Sequence, residues 1–313
     1  MMKPTRLLPL SVCTLVLALA GCTSTYKWVG IRFLYDEAPV GSVRVLLDVP
    51  YFEGSTLEKH RLDLLLPEES PEAGAWPVLI FVHGGGWTAG DKGLKVSSAD
   101  VYRNIGRFYA RHGIGTAVIN YRLQPEVTWR EQVADVAHAV SWVHSHAAEY
   151  GGDPGALYLS GHSAGAQLSA YVALNPGVLR EVDLSPRALC GVIAVSGAGY
   201  DLADERTYEL GAERSYYEER FRAGDPGDGW LQEASAVTYL SAESPPFLLI
   251  HGSREWKSLQ HQNRLLDQAL RDSGAKSRLL VATQTHLSIL LALSREDKLP
   301  AAAVLQFIRE THC

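Results

Sequence analysis

Residues Gly161-His162-Ser163-Ala164-Gly165 decide the reading of this chain. They follow the apolar run Ala156-Leu157-Tyr158-Leu159-Ser160 and precede Ala166-Gln167-Leu168-Ser169-Ala170-Tyr171-Val172-Ala173-Leu174. A G-x-S-x-G pentapeptide alone says little, since a chain of this length shows one by chance about one time in ten. The flanks change that, because they predict strand, sharp turn and helix, the setting in which a serine hydroxyl is exposed and aimed. A serine is a weak nucleophile until it is aimed and paired with a base. Glycines two residues either side let strand and helix approach without a Cβ in the way. The N–H of Ala164, at the start of the helix, then points where an oxyanion would form.

Working outward, strands and helices alternate. Strands are predicted at Val43 to Val49, His60 to Leu66, Pro77 to Val82, Thr116 to Asn120, Ala156 to Ser160, Gly191 to Val195, Pro246 to Ile250 and Arg278 to Val281. The Pro77-Val78-Leu79-Ile80-Phe81-Val82 run is apolar throughout, as in a strand buried on both faces. Helices are predicted at Ala99 to His112 and Trp129 to Tyr150, the second stopped by Gly151-Gly152. This order gives an α/β fold: a mostly parallel, twisted sheet of about eight strands with helices on both faces. One domain, residues 42–313, takes up the mature chain.

Residues 200–236 break the rhythm. They are polar, acidic and rich in aromatics (Tyr200, Tyr208, Tyr216, Tyr217, Phe221, Trp230) and too long for a plain connection. A cap insertion whose aromatics line a pocket fits this stretch. The plainer alternative is a surface excursion whose aromatics pack on each other.

The N-terminus reads as a targeting segment. Lys3 and Arg6 precede an apolar run from Leu7 to Ala20, shorter than the roughly 20 residues of a spanning helix. Leu19-Ala20-Gly21-Cys22 resembles the lipobox of bacterial lipoproteins. That resemblance implies a signal peptide at 1–21, lipidation of Cys22 and a tether over 22–41. It also implies a cell-envelope protein held by its lipid in a membrane, and Thr23 in place of Asp points to the outer membrane of a Gram-negative bacterium. Of the four cysteines, Cys190 and Cys313 remain, and they are expected to be unbridged thiols, because nothing in the sequence brings them together. A net charge of −6 with no basic cluster gives no footprint for nucleic acid.

The remaining chemistry falls in chain order. His83-Gly84-Gly85-Gly86-Trp87 follows a predicted strand, and its glycines leave backbone N–H groups unshielded for a substrate oxygen. Gly85 and Gly86, with Ala164, are the expected oxyanion donors, and His83 is expected to hold the loop through its ring. A carboxylate is expected just past a later strand and a histidine past the last one. Glu255 and His286 stand at those places. His138, His144 and His146 share one helix at spacings of six and two, which put no pair on one face, so a metal site is rejected.

These residues resemble the α/β-hydrolase superfamily, near its hormone-sensitive-lipase-like branch and nearer to bacterial esterases akin to kynurenine formamidase and prenylcysteine methylesterase. The resemblance rests on His83 to Trp87 with Gly90-Asp91-Lys92, Asn120-Tyr121-Arg122-Leu123, Tyr150-Gly151-Gly152-Asp153-Pro154, Gly161 to Gly165, Pro245-Pro246 to Gly252 and Thr285-His286. It covers Asp48 to the C-terminus and implies a triad of Ser163, Glu255 and His286. The chain departs from the pattern at the acid, commonly Asp in H-G-x-x-D and here Glu255. The longer side chain sets that loop further from His286. The implied activity is serine carboxylic-ester hydrolysis on a small-molecule or glycan-linked ester, with no cofactor or metal. An arylformamidase or peptidase-type acyl hydrolase uses the same parts. A reading of another class is a binding module of the envelope without catalysis, but such proteins usually lose the serine, the histidine or the glycines, and all are kept here.

Overall fold

A computed structural model describes residues 43–313 apart from 69–73, 97–98, 223 and 225–226. The expected signal segment, Cys22 and the tether lie outside the described residues.

Eight strands form one sheet: β1 (Val43–Pro50), β2 (Arg61–Pro67), β3 (Trp76–Val82), β6 (Gly115–Ile119), β7 (Gly152–His162), β8 (Gly191–Val195), β9 (Phe247–Gly252) and β10 (Ser277–Ala282). Their order is β1-β2-β6-β3-β7-β8-β9-β10. β1 and β2 pair antiparallel, β2 pairs antiparallel with β6, and every pair from β6 to β10 is parallel. The strands β4 (Lys95–Val96) and β5 (Ala99–Asp100) make a separate hairpin. That hairpin takes the first two residues of the helix expected from Ala99, so α1 runs Val101–Arg111.

Alternation along the strands assigns each side chain to one face. Val78, Ile80 and Val82 of β3 and Leu157 and Leu159 of β7 join one core, with helices α2 (Trp129–Tyr150), α3 (Ala164–Leu174) and α8 (Lys257–Asp272). Leu79, Phe81 and Tyr158, one residue out of phase, join the opposite core with α1, α9 (Ser288–Ala292) and α10 (Leu299–Glu310). Each such large apolar side chain contributes on the order of 1.5–3 kcal/mol by leaving water. α2 has its full predicted span because both ends are encoded. Thr128 and Glu131 form a reciprocal capping box at its start, and Gly151 ends it at φ 101°.

Cys190 and Cys313 are bridged, contrary to the expectation of free thiols, with Cα atoms 4.8 Å apart. α10 crosses the sheet and delivers the C-terminus to the start of β8. Tyr158, on the neighbouring strand, donates its hydroxyl toward the Ile308 carbonyl at 3.1 Å and also contacts that of Thr311. A separation of 123 residues hides this approach from any local reading.

The 200–236 segment folds into α5 (Glu205–Glu209), α6 (Arg214–Phe221) and α7 (Gly229–Glu233), with α4 (Pro176–Arg180) before it. Tyr200, Tyr217, Phe221 and Trp230 are buried and belong to the first core rather than to a pocket wall. Phe221 meets the Trp87 ring edge-on at 4.9 Å and lies 6.0 Å from that of Trp129. Tyr216 and Tyr208 are only partly buried. The segment is therefore packed onto the glycine loop described next.

Candidate active site

The site gathers where parallel strands end. β7 ends at His162, and Ser163 sits between it and α3 at φ 56°, ψ −119°, a strained conformation for a residue with a Cβ. Packing holds it there. A Cβ on Gly165 would lie 2.3 Å from the Val82 carbonyl oxygen, and one on Gly161 would lie 2.3 Å from that of Gly165. Neither position admits any other residue without moving backbone.

After β3 the chain passes through His83 to Trp87 with positive φ at Gly85 (133°), Gly86 (62°) and Trp87 (65°). A side chain at Gly85 would run into the Ala89 carbonyl oxygen at 1.9 Å. Gly84 is pressed against the serine turn, since a Cβ there would lie 3.2 Å from Ser163 Cβ. His83 has the structural part expected of it. Its Nδ1–H donates to the Gly84 carbonyl at 2.8 Å and its ring stacks on Tyr121 at 4.4 Å. Trp87 is clamped by Gln132 Nε2, which donates to its carbonyl at 2.7 Å, and by Gln167, whose Oε1 accepts from its indole N–H at 3.1 Å. From the inserted segment, Arg220 Nε donates to the Gly86 carbonyl at 3.1 Å while its guanidinium lies 3.5 Å over the Tyr216 ring.

Beneath this loop lies a buried ionic network. Lys92 Nζ donates to Asp63 at 2.7 Å, and Arg103 Nε donates to the other oxygen of the same carboxylate at 2.7 Å. Asn120 accepts from the Lys92 amide at 2.6 Å and donates to Asp91 at 2.9 Å. The Gly90-Asp91-Lys92 and Asn120-Tyr121-Arg122 motifs thus support the glycine loop from below.

His286, beyond β10, places Nε2 3.0 Å from Ser163 Oγ. Its Nδ1 faces Glu255 Oε2 at 3.9 Å. Both of these atoms are buried, and neither has a hydrogen-bond partner among the described residues. The gap exceeds hydrogen-bond length, but the two atoms point at each other. The other carboxylate oxygen is held firmly. Glu255 Oε1 accepts from the Gly252 amide at 3.1 Å and, in a short contact, from the Ser196 hydroxyl. With the imidazole proton on Nδ1, the Ser163 hydroxyl donates to Nε2, which is the arrangement for removing its proton.

Two contributors escape a reading of motifs. Ser196 follows β8 at φ 51° and anchors the acid. His162 donates from Nε2 to the His286 carbonyl at 2.9 Å, which fixes its tautomer and the backbone of the histidine loop. The only sequence signal for His162 is its place beside the serine. Burial pushes the His162 imidazole down to about 3 and that of His83 down to about 4. Both are neutral in the native state, whereas an unfolded histidine titrates near 6.5. Below that pH the unfolded chain binds about two more protons than the native one. Their contribution is complete above pH 6.5 and is lost as the pH falls toward 4. The slope is on the order of 2–3 kcal/mol per pH unit at its steepest. Urea unfolding at intervals from pH 7.5 to 4 should show that decline, and replacing His162 by Gln should remove about half of it.

Beside His286 opens a cavity of about 400 Å³ lined by Arg254, Glu255, Trp256, Thr285, His286 and Leu287. Trp256 and Leu287 are 65% and 71% exposed at its rim.

The BD-FAE family model matches residues 62–270. Among curated proteins, the chain is 32% identical over 270 residues to "Esterase LipQ" of Mycobacterium tuberculosis, covering 83% of this chain and 61% of that protein. It is 29% identical over 246 residues to "Isoprenylcysteine alpha-carbonyl methylesterase ICME" of Arabidopsis thaliana, covering 74% and 55%. The chain thus spans about half to three fifths of the length of the curated relatives it matches. Among solved structures, Esterase B from Lactobacillus rhamnosis superposes with a TM-score of 0.69 at 21% identity, covering 95% of this chain and 94% of that one. A truncated carbohydrate esterase from gut microbiota does so at 0.68 and 21%, covering 88% and 99%. At that identity these neighbours speak for the fold alone, the α/β-hydrolase fold.

Proposed function

The chain belongs to the BD-FAE family, and on that footing we propose that it is a serine carboxylic-ester hydrolase working through an acyl-enzyme. The observation that carries this reading is the 3.0 Å contact between His286 Nε2 and Ser163 Oγ at a strained strand-to-helix turn. The esterase names of the curated relatives support it.

Ser163 Oγ attacks the acyl carbon while His286 Nε2 takes its proton. The carbonyl oxygen, now an oxyanion, is received by the amides of Gly85, Gly86 and Ala164. Collapse breaks the bond to the alcohol, whose oxygen leaves with the electron pair and the proton from His286. Water then repeats the sequence on the acyl-enzyme. Glu255 orients His286 and stabilises its cation. A charge on the imidazole draws Nδ1 and Oε2 together across their 3.9 Å, since apo geometry at such pairs is loose and tightens as charge develops.

Glu255→Gln should lower kcat on p-nitrophenyl acetate by about 10²–10⁴-fold. Glu255→Asp should lose activity as well, because the shorter side chain widens a gap already too long for a hydrogen bond. Ser196→Ala should cost about ten-fold by releasing the carboxylate. Wild-type rates in all three variants would place the acid elsewhere. The chain-length profile over p-nitrophenyl acetate, butyrate and decanoate sizes the acyl side.

The lipobox-like Leu19-Ala20-Gly21-Cys22 supports a lipid-anchored protein of the cell envelope. Metabolic labelling with an alkyne fatty acid tests it, with Cys22→Ser as the variant that must lose the label. The inserted residues 200–236 are proposed as a cap, since Arg220 and Phe221 brace the glycine loop.

A further inference from the structure

Resting on the esterase reading, the position of His286 also fixes where the alcohol half of the substrate must lie. The leaving oxygen collects its proton from His286 Nε2, so the alcohol has to pass that ring, on the side away from the oxyanion glycines. A cavity of about 400 Å³ opens beside that ring, with His286 in its lining.

Its walls have a definite chemistry. The Trp256 indole lies 5.2 Å from the His286 ring, tilted by 54°, and is 65% exposed. Leu287, 71% exposed, belongs to the same lining. Two large apolar side chains left in water beside a reacting group form a surface that a flat ring covers well. Arg254 also lines the cavity and is exposed, and its guanidinium forms no ion pair among the described residues. Lys257, three residues on, is exposed as well. The only carboxylate in the lining, that of Glu255, is buried, with one oxygen held by Gly252 and Ser196 and the other facing His286. The rim is thus locally cationic on a chain of net charge −6.

We infer that this cavity is the leaving-group subsite and that it selects an alcohol with a flat ring and a negative charge. Trp256 and Leu287 supply the stacking surface and Arg254 supplies the counter-charge. Nothing about the acyl half follows from these residues.

The test compares 4-acetoxybenzoate with its neutral methyl ester, and both with ethyl acetate. All three deliver the same acetyl group, so ratios of kcat/KM isolate the alcohol. In Arg254→Glu the anionic-to-neutral ratio should fall about ten-fold, and in Arg254→Lys it should stay within about two-fold. High salt should shrink the wild-type preference. In Trp256→Ala the aryl-to-ethyl ratio should fall about five-fold and recover in Trp256→Tyr. Both ratios unchanged in Arg254→Glu and Trp256→Ala would overturn the assignment. Should the wild-type protein hydrolyse none of these esters, the esterase reading fails separately. Equilibrium binding of 4-hydroxybenzoate against methyl 4-hydroxybenzoate then decides the subsite. Tighter binding of the anion that Arg254→Glu abolishes would uphold it, and equal binding would overturn it.

Discussion

Ser163→Ala should leave no more than about 10⁻⁴ of the wild-type kcat/KM on p-nitrophenyl acetate, with the fold intact. The loss is that large because nucleophile and base act as a unit, and the glycine amides alone stabilise an intermediate that no longer forms. The geometry gives the serine one base, His286, at 3.0 Å. The fold should survive because the turn is held from outside it. Gly161 and Gly165 interlock with β3 and α3, and the Ser163 amide bonds to the Val195 carbonyl at 2.9 Å. Alanine meets the same strain at φ 56° as serine does. A thermal melt within a few degrees of wild type, beside the lost activity, is the expected pair of results.

Asp63→Ala should produce the largest loss of stability, about 3–5 kcal/mol. Its carboxylate is fully buried and neutralises two cations, Lys92 and Arg103. Removing it leaves the Lys92 ammonium, itself 4% exposed, without its buried counter-ion. Asp48, the second acid on Lys92, has a side chain 61% exposed and cannot substitute for a partner inside the protein. Asp48→Asn is therefore the control and should cost less than about 1 kcal/mol, since Asn also tolerates its φ of 57°. For a chain of this size the Asp63 variant should melt on the order of 10 °C lower. Calorimetry of the two variants side by side measures the contrast. Equal shifts would mean that the network contributes as a surface feature rather than a buried one.

Much of the fold is legible because it is written locally. The seven-residue β3 and the 22-residue α2 follow from an unbroken apolar run and from a Thr128 to Gly151 frame of caps. Ser163 and His286 are 123 residues apart and still legible, because the strand-turn-helix signal fixes one and chain order fixes the other. Glu255 is legible as a position but not as a distance, since the 3.9 Å depends on how two loops meet. Ser196, His162, Gln132, Gln167 and Arg220 are ordinary residues in sequence. They acquire their parts only when β8, α2, α3 and α6 close around the glycine loop. The Cys190–Cys313 bridge is hidden for the same reason. The aromatics of 200–236 single that segment out, but composition does not tell a ring that lines a pocket from one that fills a core, and four of the six fill the core.

Incubation with a p-nitrophenyl alkylphosphonate, followed by peptide mass spectrometry, tests the central claim most directly. A single adduct on the peptide carrying Ser163, absent in Ser163→Ala and strongly slowed in His286→Ala, is the predicted result. A folded wild-type protein that takes no adduct, or takes it at another residue, would contradict it.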